Sequence, residues 1–133
     1  MSEKNIIESK LKLKELYFDK IVFNRLGDKN SNKPESKLMV QIGELQEEDL
    51  YKIVLIFRTT KKGEYEIDIE LSGIFSFESE IDLREEAKKV LIQKNTVAIM
   101  MPYIRSQLTL ITSQPGVDPI VLPPLNINAM LND

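Results

Sequence analysis

The side chains of this chain that could take part in chemistry are nearly all carboxylates and amines, because the sequence contains no histidine and no cysteine. The commonest general base and metal ligand is therefore missing, and so are thiol nucleophiles, thiolate zinc sites and disulfides. No Gly-rich phosphate-binding motif and no Gly-x-Ser-x-Gly motif is present. A serine nucleophile would need a lysine or carboxylate base, and no spacing pairs them. We expect no enzyme, no cofactor and no metal site.

One group of carboxylates has a spacing that could serve binding. Glu64, Glu66, Asp68 and Glu70 alternate with apolar residues, so a strand would carry them on a single face. Such a strip suits a basic partner, but it is also typical of the solvated face of an antiparallel sheet. The periodicity alone favours the solvated face. Alternating carboxylates on one strand rarely converge on a divalent cation.

The composition indicates the class of protein that carries these side chains. The chain has 133 residues, 42% of them hydrophobic and 29% charged, with a net charge of −3. This predicts one globular domain over residues 1–133, with a loose start over residues 1–10. The acidic balance disfavours nucleic acid as a partner. No apolar run reaches the ~20 residues of a membrane helix, and the start lacks the apolar run of a signal peptide, so we expect a cytoplasmic protein without membrane insertion.

Four strands are predicted from two-residue alternation. The first spans Leu11 to Asn24, and the charged Glu15 and Asp19 indicate either a bulge or an exposed end within it. Its predicted buried face consists of Leu11, Leu13, Tyr17, Ile21 and Phe23. Residues 25–37 form a long, flexible connection, and strands follow over 38–42, 50–60 and 65–77. A hairpin turn at 61–64 joins the last two.

Helical patterns follow the strands. Asp82 is a candidate N-cap for a short helix whose apolar stripe is Leu83, Ala87, Val90 and Leu91, and a second helix is predicted from Thr96 to Ser113. The apolar residues around Ile120-Val121-Leu122 and from Ile127 to Leu131 indicate either an exposed groove or subunit interface, or a cover for the sheet. Asn126 can cap a last short helix. Strands followed by helices predict an α+β fold, an antiparallel sheet with helices on one face.

Several stretches resemble the SecB protein-export chaperones. Met101-Pro102-Tyr103-Ile104-Arg105 is similar to Phe-Pro-Tyr-Ala-Arg of the family, and Gly73-Ile74-Phe75 matches the end of its last strand. Residues 122–131, Leu-Pro-Pro-Leu-Asn-Ile-Asn-Ala-Met-Leu, resemble the family's Leu-Ala-Pro-Val-Asn-Phe-x-Ala-Leu pattern, and residues 17–23 resemble its first strand. Lys94-Asn95-Thr96 stands where members commonly have Cys-Pro. The resemblance runs from about Leu13 to Leu131.

The resemblance implies a four-stranded antiparallel sheet backed by a long helix and a short C-terminal helix. It also implies a homotetramer, a dimer of dimers, that holds unfolded precursors for the export ATPase SecA without using nucleotide. Glu66 and Asp68 occupy the family's SecA-docking positions on the last strand, whereas Lys20 and Asn24 replace the matching carboxylates on the first. We expect the apolar row Ile67, Ile69 and Leu71 to pack with the long helices at or beside the contact between dimers.

The client groove is predicted between the second strand, the 25–37 connection and the last helix. Its residues are Leu38, Val40, Ile42, Ile127, Met130 and Leu131. Flexible apolar side chains such as methionine and leucine suit weak binding to many unfolded sequences. The alternative is a SecB-like chaperone or binding module dedicated to one partner, such as the antitoxin of a toxin–antitoxin system. The residues leave both functions open.

Overall fold

The computed structural model describes residues 10–47, 49–78 and 84–122. Over these residues the chain forms four strands and then a helix: β1 (Lys10–Arg25), β2 (Glu35–Glu44), β3 (Leu50–Lys61), β4 (Tyr65–Glu78) and α1 (Glu85–Thr112). The strands form one antiparallel sheet in the order β1-β4-β3-β2. The predicted α+β architecture is confirmed. The loose start and the short C-terminal helix, with Ile127, Met130 and Leu131, fall outside the described residues.

The core lies between α1 and one face of the sheet. β4 has the regular alternation that the sequence predicts, and its odd-numbered residues from Tyr65 to Phe77 are buried on the helix side. β3 contributes Ile53, Leu55 and Phe57 from the adjacent strand. From the helix, the core receives Ile92, Val97, Met100, Met101, Ile104 and Leu108. Burial of this shared apolar layer is the main force that fixes the helix on the sheet.

Two irregularities in β1 change which of its side chains face the core. The register with β4 shifts between Leu13 and Glu15 and again between Phe18 and Lys20. Of the two alternatives predicted near Glu15 and Asp19, a bulge or an exposed end, the shifts confirm the bulge. Each extra residue flips the alternation, so that Leu16 and Phe18 pack against the core. The prediction that Tyr17 lies on the buried face is wrong, because Tyr17 pairs with Ser72 and is exposed. Leu13 and Ile21 pair with the inward residues Phe75 and Ile69, but they too are exposed and not buried as predicted, because β1 is an edge strand of the described sheet.

The helix is continuous where the sequence predicts two. The predicted break before Thr96 is wrong, because Thr96 donates its hydroxyl hydrogen to the Ile92 carbonyl (2.6 Å) within an unbroken helix. Pro102 lies inside α1 on an exposed position without ending it. The stripe predicted for the first helix is also wrong, since Val90 is exposed and Ile92 is fully buried. The predicted cap Asp82 lies outside the described residues.

Candidate functional site

The predicted client-binding residues of β2 lie in one row on the helix side of the sheet. Leu38, Val40 and Ile42 pair with Phe57, Leu55 and Ile53 of β3, respectively. Leu38 is buried, whereas Val40 and Ile42 are only partly buried and pack against the margin of the core. In the sheet described here, β2 is an edge strand. The structure therefore brings three of the six predicted residues together at an accessible edge.

A second apolar surface lies beside the last turns of α1. A groove of about 550 Å³ runs between the helix and residues 121–122. Leu110 and Val121 are 68% and 74% exposed in it. Its lining consists of Pro102, Arg105, Ser106, Thr109, Leu110, Ser113, Val121 and Leu122. Side chains of this size exposed together in a groove are typical of a binding surface.

Threonines of the helix hold the far wall of this groove in place. Thr109 Oγ1 donates to the Ile120 carbonyl (2.9 Å), and the Ile120 amide donates to Thr112 Oγ1 (2.8 Å). The sequence predicts an exposed groove or a cover at 120–122, and the structure shows elements of both, because Val121 is exposed while Ile120 and Leu122 pack against the core. Leu110 was missed because the helical stripe through Leu108 and Ile111 does not include it.

The carboxylates of the predicted acidic row do not form a free acidic strip. Asp68 accepts hydrogen bonds from Lys20 Nζ (2.9 Å) and Arg58 Nε (3.2 Å), and Lys20 Nζ also lies 3.8 Å from Glu70. The hydrogen bond from Lys20, supported by the one from Arg58, holds the pKa of Asp68 below its usual range. Glu66 is exposed and makes no salt bridge within the described residues.

Glu64 lies in the β3–β4 turn, which confirms the turn predicted over residues 61–64. Its inclusion in the exposed acidic row was wrong, because its side chain is buried against Lys61 (2.8 Å). The row Ile67, Ile69 and Leu71 is buried under α1 within the single chain. That this row also lies beside a contact between copies stays a prediction.

Two features are absent from the part of the chain that the structure describes. Within residues 10–47, 49–78 and 84–122, no three acidic side chains cluster in a way that could hold a metal ion. None of the described helical residues forms a segment long and apolar enough to cross a membrane. The fold and the surfaces define a class: an α+β protein in which a helix backs a four-stranded antiparallel sheet and apolar surfaces flank that helix.

Comparison with known proteins assigns the family within this class. The family model "Preprotein translocase subunit SecB" matches residues 3–133, so the chain belongs to the SecB family. The protein-export protein SecB of Rickettsia felis is 24% identical over 97 residues, 70% of this chain and 62% of that protein. An uncharacterized protein of Methanocaldococcus jannaschii is 32% identical over 66 residues, 49% and 40% of the two chains. The matches thus span less than two thirds of these relatives.

A solved structure shares the fold. The SecB-like chaperone of Mycobacterium tuberculosis, solved in complex with a ChAD peptide from the HigA1 antitoxin, superposes with a TM-score of 0.72. The two chains are 11% identical, and the match covers 87% of this chain and 88% of the other. This similarity confirms the SecB-like fold that the sequence resemblance implies.

Proposed function

We propose that the protein is a cytoplasmic, ATP-independent holdase that binds unfolded or precursor polypeptides and is not an enzyme. The observation that carries the proposal is the accessible apolar surface on a SecB-family fold, above all the β2 row and the groove at Leu110 and Val121. An unfolded chain exposes apolar side chains, and these surfaces would remove them from water. The proposed client-binding residues remain Leu38, Val40, Ile42, Ile127, Met130 and Leu131.

The strength of one such contact explains why several are needed. Burial of about 100 Å² of client surface contributes on the order of 2–3 kcal/mol before entropy costs. A single contact is therefore weak. In the proposed homotetramer, a dimer of dimers, the grooves act on one client at high effective concentration and raise the affinity together.

A function dedicated to one partner is the second candidate. The Mycobacterium tuberculosis neighbour, which binds an antitoxin peptide, supports it, and so does the pairing of Asp68 with Lys20 and Arg58, which weakens the case for SecA. The named SecB relatives support export. The range of clients decides between the two. A holdase suppresses the aggregation of two unrelated denatured proteins, measured by light scattering, whereas a dedicated module protects one antitoxin and neither unrelated protein.

Binding to SecA should be weak and sensitive to salt. Lys20 and Arg58 neutralise Asp68, which leaves Glu66 as the exposed carboxylate of the predicted docking pair Glu66 and Asp68. The variant Glu66→Lys should weaken binding further, because the contact relies on charge. Titration calorimetry at two salt concentrations measures this. Glu86→Lys, an exposed change on α1, is the control that should leave binding unchanged. Tight, salt-resistant binding by the native protein would contradict the prediction.

A further inference from the structure

The connection between β1 and β2 is fastened at one corner of the molecule. We call residues 26–34 the strap. The amides of Leu26 and Gly27 donate to the Glu64 carbonyl (2.7 and 3.2 Å), and the Asn30 amide donates to Glu64 Oε1 (2.9 Å). The side chains of Asn30 and Asn32 both donate to the Lys62 carbonyl (2.9 and 2.8 Å). The strap therefore lies on the β3–β4 turn.

Glu64 is the centre of this attachment. Its side chain is 1% exposed, and Oε1 also accepts a hydrogen bond from Lys61 Nζ. Its second oxygen, Oε2, is buried and has no partner among the described residues. Burial of the Glu64 carboxylate with one oxygen unpaired costs desolvation free energy. The Lys61–Glu64 pair therefore depends strongly on the hydrogen bonds that the other oxygen accepts. One of them comes from the strap.

Two glycines let the strap approach the turn closely. A Cβ added at Gly27 would lie 2.5 Å from the Gly63 carbonyl oxygen, a contact that backbone atoms cannot relieve. Gly63 itself has a φ of 80°, which favours glycine. The fit is therefore specific to these residues.

The strap also reaches the segment that follows α1, residues 116–122, which we call the covering segment. Lys29 Nζ lies 2.7 Å from Asp118 Oδ1, and Arg25 at the end of β1 donates to the Gly116 carbonyl (3.4 Å). The covering segment places Val117, Ile120 and Leu122 against the core. Val121 and Leu122 form a wall of the apolar groove. The contacts of this corner thus reach the covering segment, which borders the groove that we propose for clients.

We propose that Glu64 locks the strap on the β3–β4 turn, and that the locked strap holds the covering segment in place as a wall of the proposed client groove. This inference rests on the proposed function. When the lock opens, the state with a formed groove is a smaller fraction of the population and the apparent affinity falls by that fraction, so loosening the lock lowers the affinity for client.

The lock depends on charge. The hydrogen bonds from Lys61 and then Asn30 keep the pKa of Glu64 below its usual range. Arg25 lowers it further, and Tyr65, Asp118 and the Lys29 that pairs with Asp118 also lie at this corner. A lowered carboxylate pKa means that the lock is intact at neutral pH and is lost only as the pH falls through that lowered pKa.

The test compares two ways of opening the lock. The double variant Lys61→Met with Glu64→Leu removes both charges together, which buried pairs often tolerate. Gly27→Ala displaces the strap without touching the pair, and Glu86→Gln, an exposed change on α1, is the control. Amide hydrogen exchange reports release of the strap, as the rate at Leu26, whose acceptor is the Glu64 backbone carbonyl in every variant, relative to Leu71 in the core. Affinity is measured with reduced, carboxymethylated α-lactalbumin as the unfolded probe.

We expect both opening variants to raise the Leu26 exchange rate relative to Leu71 about tenfold or more, and to weaken binding of the probe about threefold or more. Unchanged Leu26 exchange would overturn the lock. Faster exchange with unchanged or tighter binding would overturn the role of the strap in holding the groove wall. A native protein that fails to bind the probe would overturn the proposed function and that role with it, whereas the exchange rates would still decide the lock.

Discussion

Replacing Ile69 by aspartate should unfold the protein. Ile69 is completely buried and pairs with Ile21 on one side and Phe57 on the other, beneath α1. A carboxylate there has no described partner, so it must ionise without solvation or stay protonated with a raised pKa. A shift of 3 units alone costs about 4 kcal/mol. Lost burial of the isoleucine adds roughly 2 kcal/mol, and the sum approaches the whole stability of a typical domain.

Circular dichroism and urea denaturation measure this effect. Met39→Asp is the matched control, because it introduces the same charge on the opposite face of the sheet, where Met39 is 47% exposed. The control should shift the free energy of unfolding by less than about 0.5 kcal/mol. A folded Ile69→Asp variant with the native urea midpoint would contradict the core described here. A variant that stays folded but falls apart into smaller species would place this row at a contact between copies.

The double variant Val40→Ser with Ile42→Ser should lose most of its affinity for unfolded chains. Both residues are partly exposed beside the buried Leu38, so they can contact a client without holding up the core. The loss of about 2 kcal/mol of client contact corresponds to a roughly thirtyfold weaker Kd. Anisotropy of a labelled unfolded chain measures this Kd, while light scattering confirms that the assembly keeps its mass.

A change on the opposite face of the same strand provides the control. Met39→Ser removes a large apolar side chain from β2, but Met39 pairs with Ile56 and faces away from the helix. Affinity should stay within about twofold of the native value. Equal affinity of the double variant and the native protein would remove Val40 and Ile42 from the client site and leave the groove at Leu110 as the candidate surface.

The sequence predicted a strand well where only one of its two faces is buried. The odd-numbered residues of β4 are all buried, and only Ser72 among the even-numbered ones is buried with them, so the inward row could be predicted residue by residue. In β1 the bulges were predicted from Glu15 and Asp19, but their effect on Tyr17 was not, because two shifts in register act one after the other along the strand. Glu64 was misassigned because turn geometry, not strand alternation, sets its direction. Lys61 three residues earlier is the signal that could have revealed the pair.

The site was less predictable than the fold. Leu110 lies outside the buried stripe of α1, and only its position next to the covering segment makes it part of a groove. The helix and the covering segment are joined there by hydrogen bonds of Thr109 and Thr112 to Ile120, beyond the end of the helix, and the sequence gives no periodic signal for such contacts. The contacts of the strap could not be predicted from the sequence pattern either. Its glycine, asparagines and lysines predict a flexible connection, yet its hydrogen bonds go to a turn more than thirty residues away.

The central claim is that the protein recognises the unfolded state of a polypeptide through apolar surface, without nucleotide. The most direct test titrates one labelled protein in two forms, reduced carboxymethylated α-lactalbumin and native α-lactalbumin, and follows the anisotropy in the absence of ATP. We predict saturable binding of the unfolded form and none of the native form, with affinity that survives increased salt because the contacts are apolar. Binding of neither form, or equal binding of both, would contradict the account.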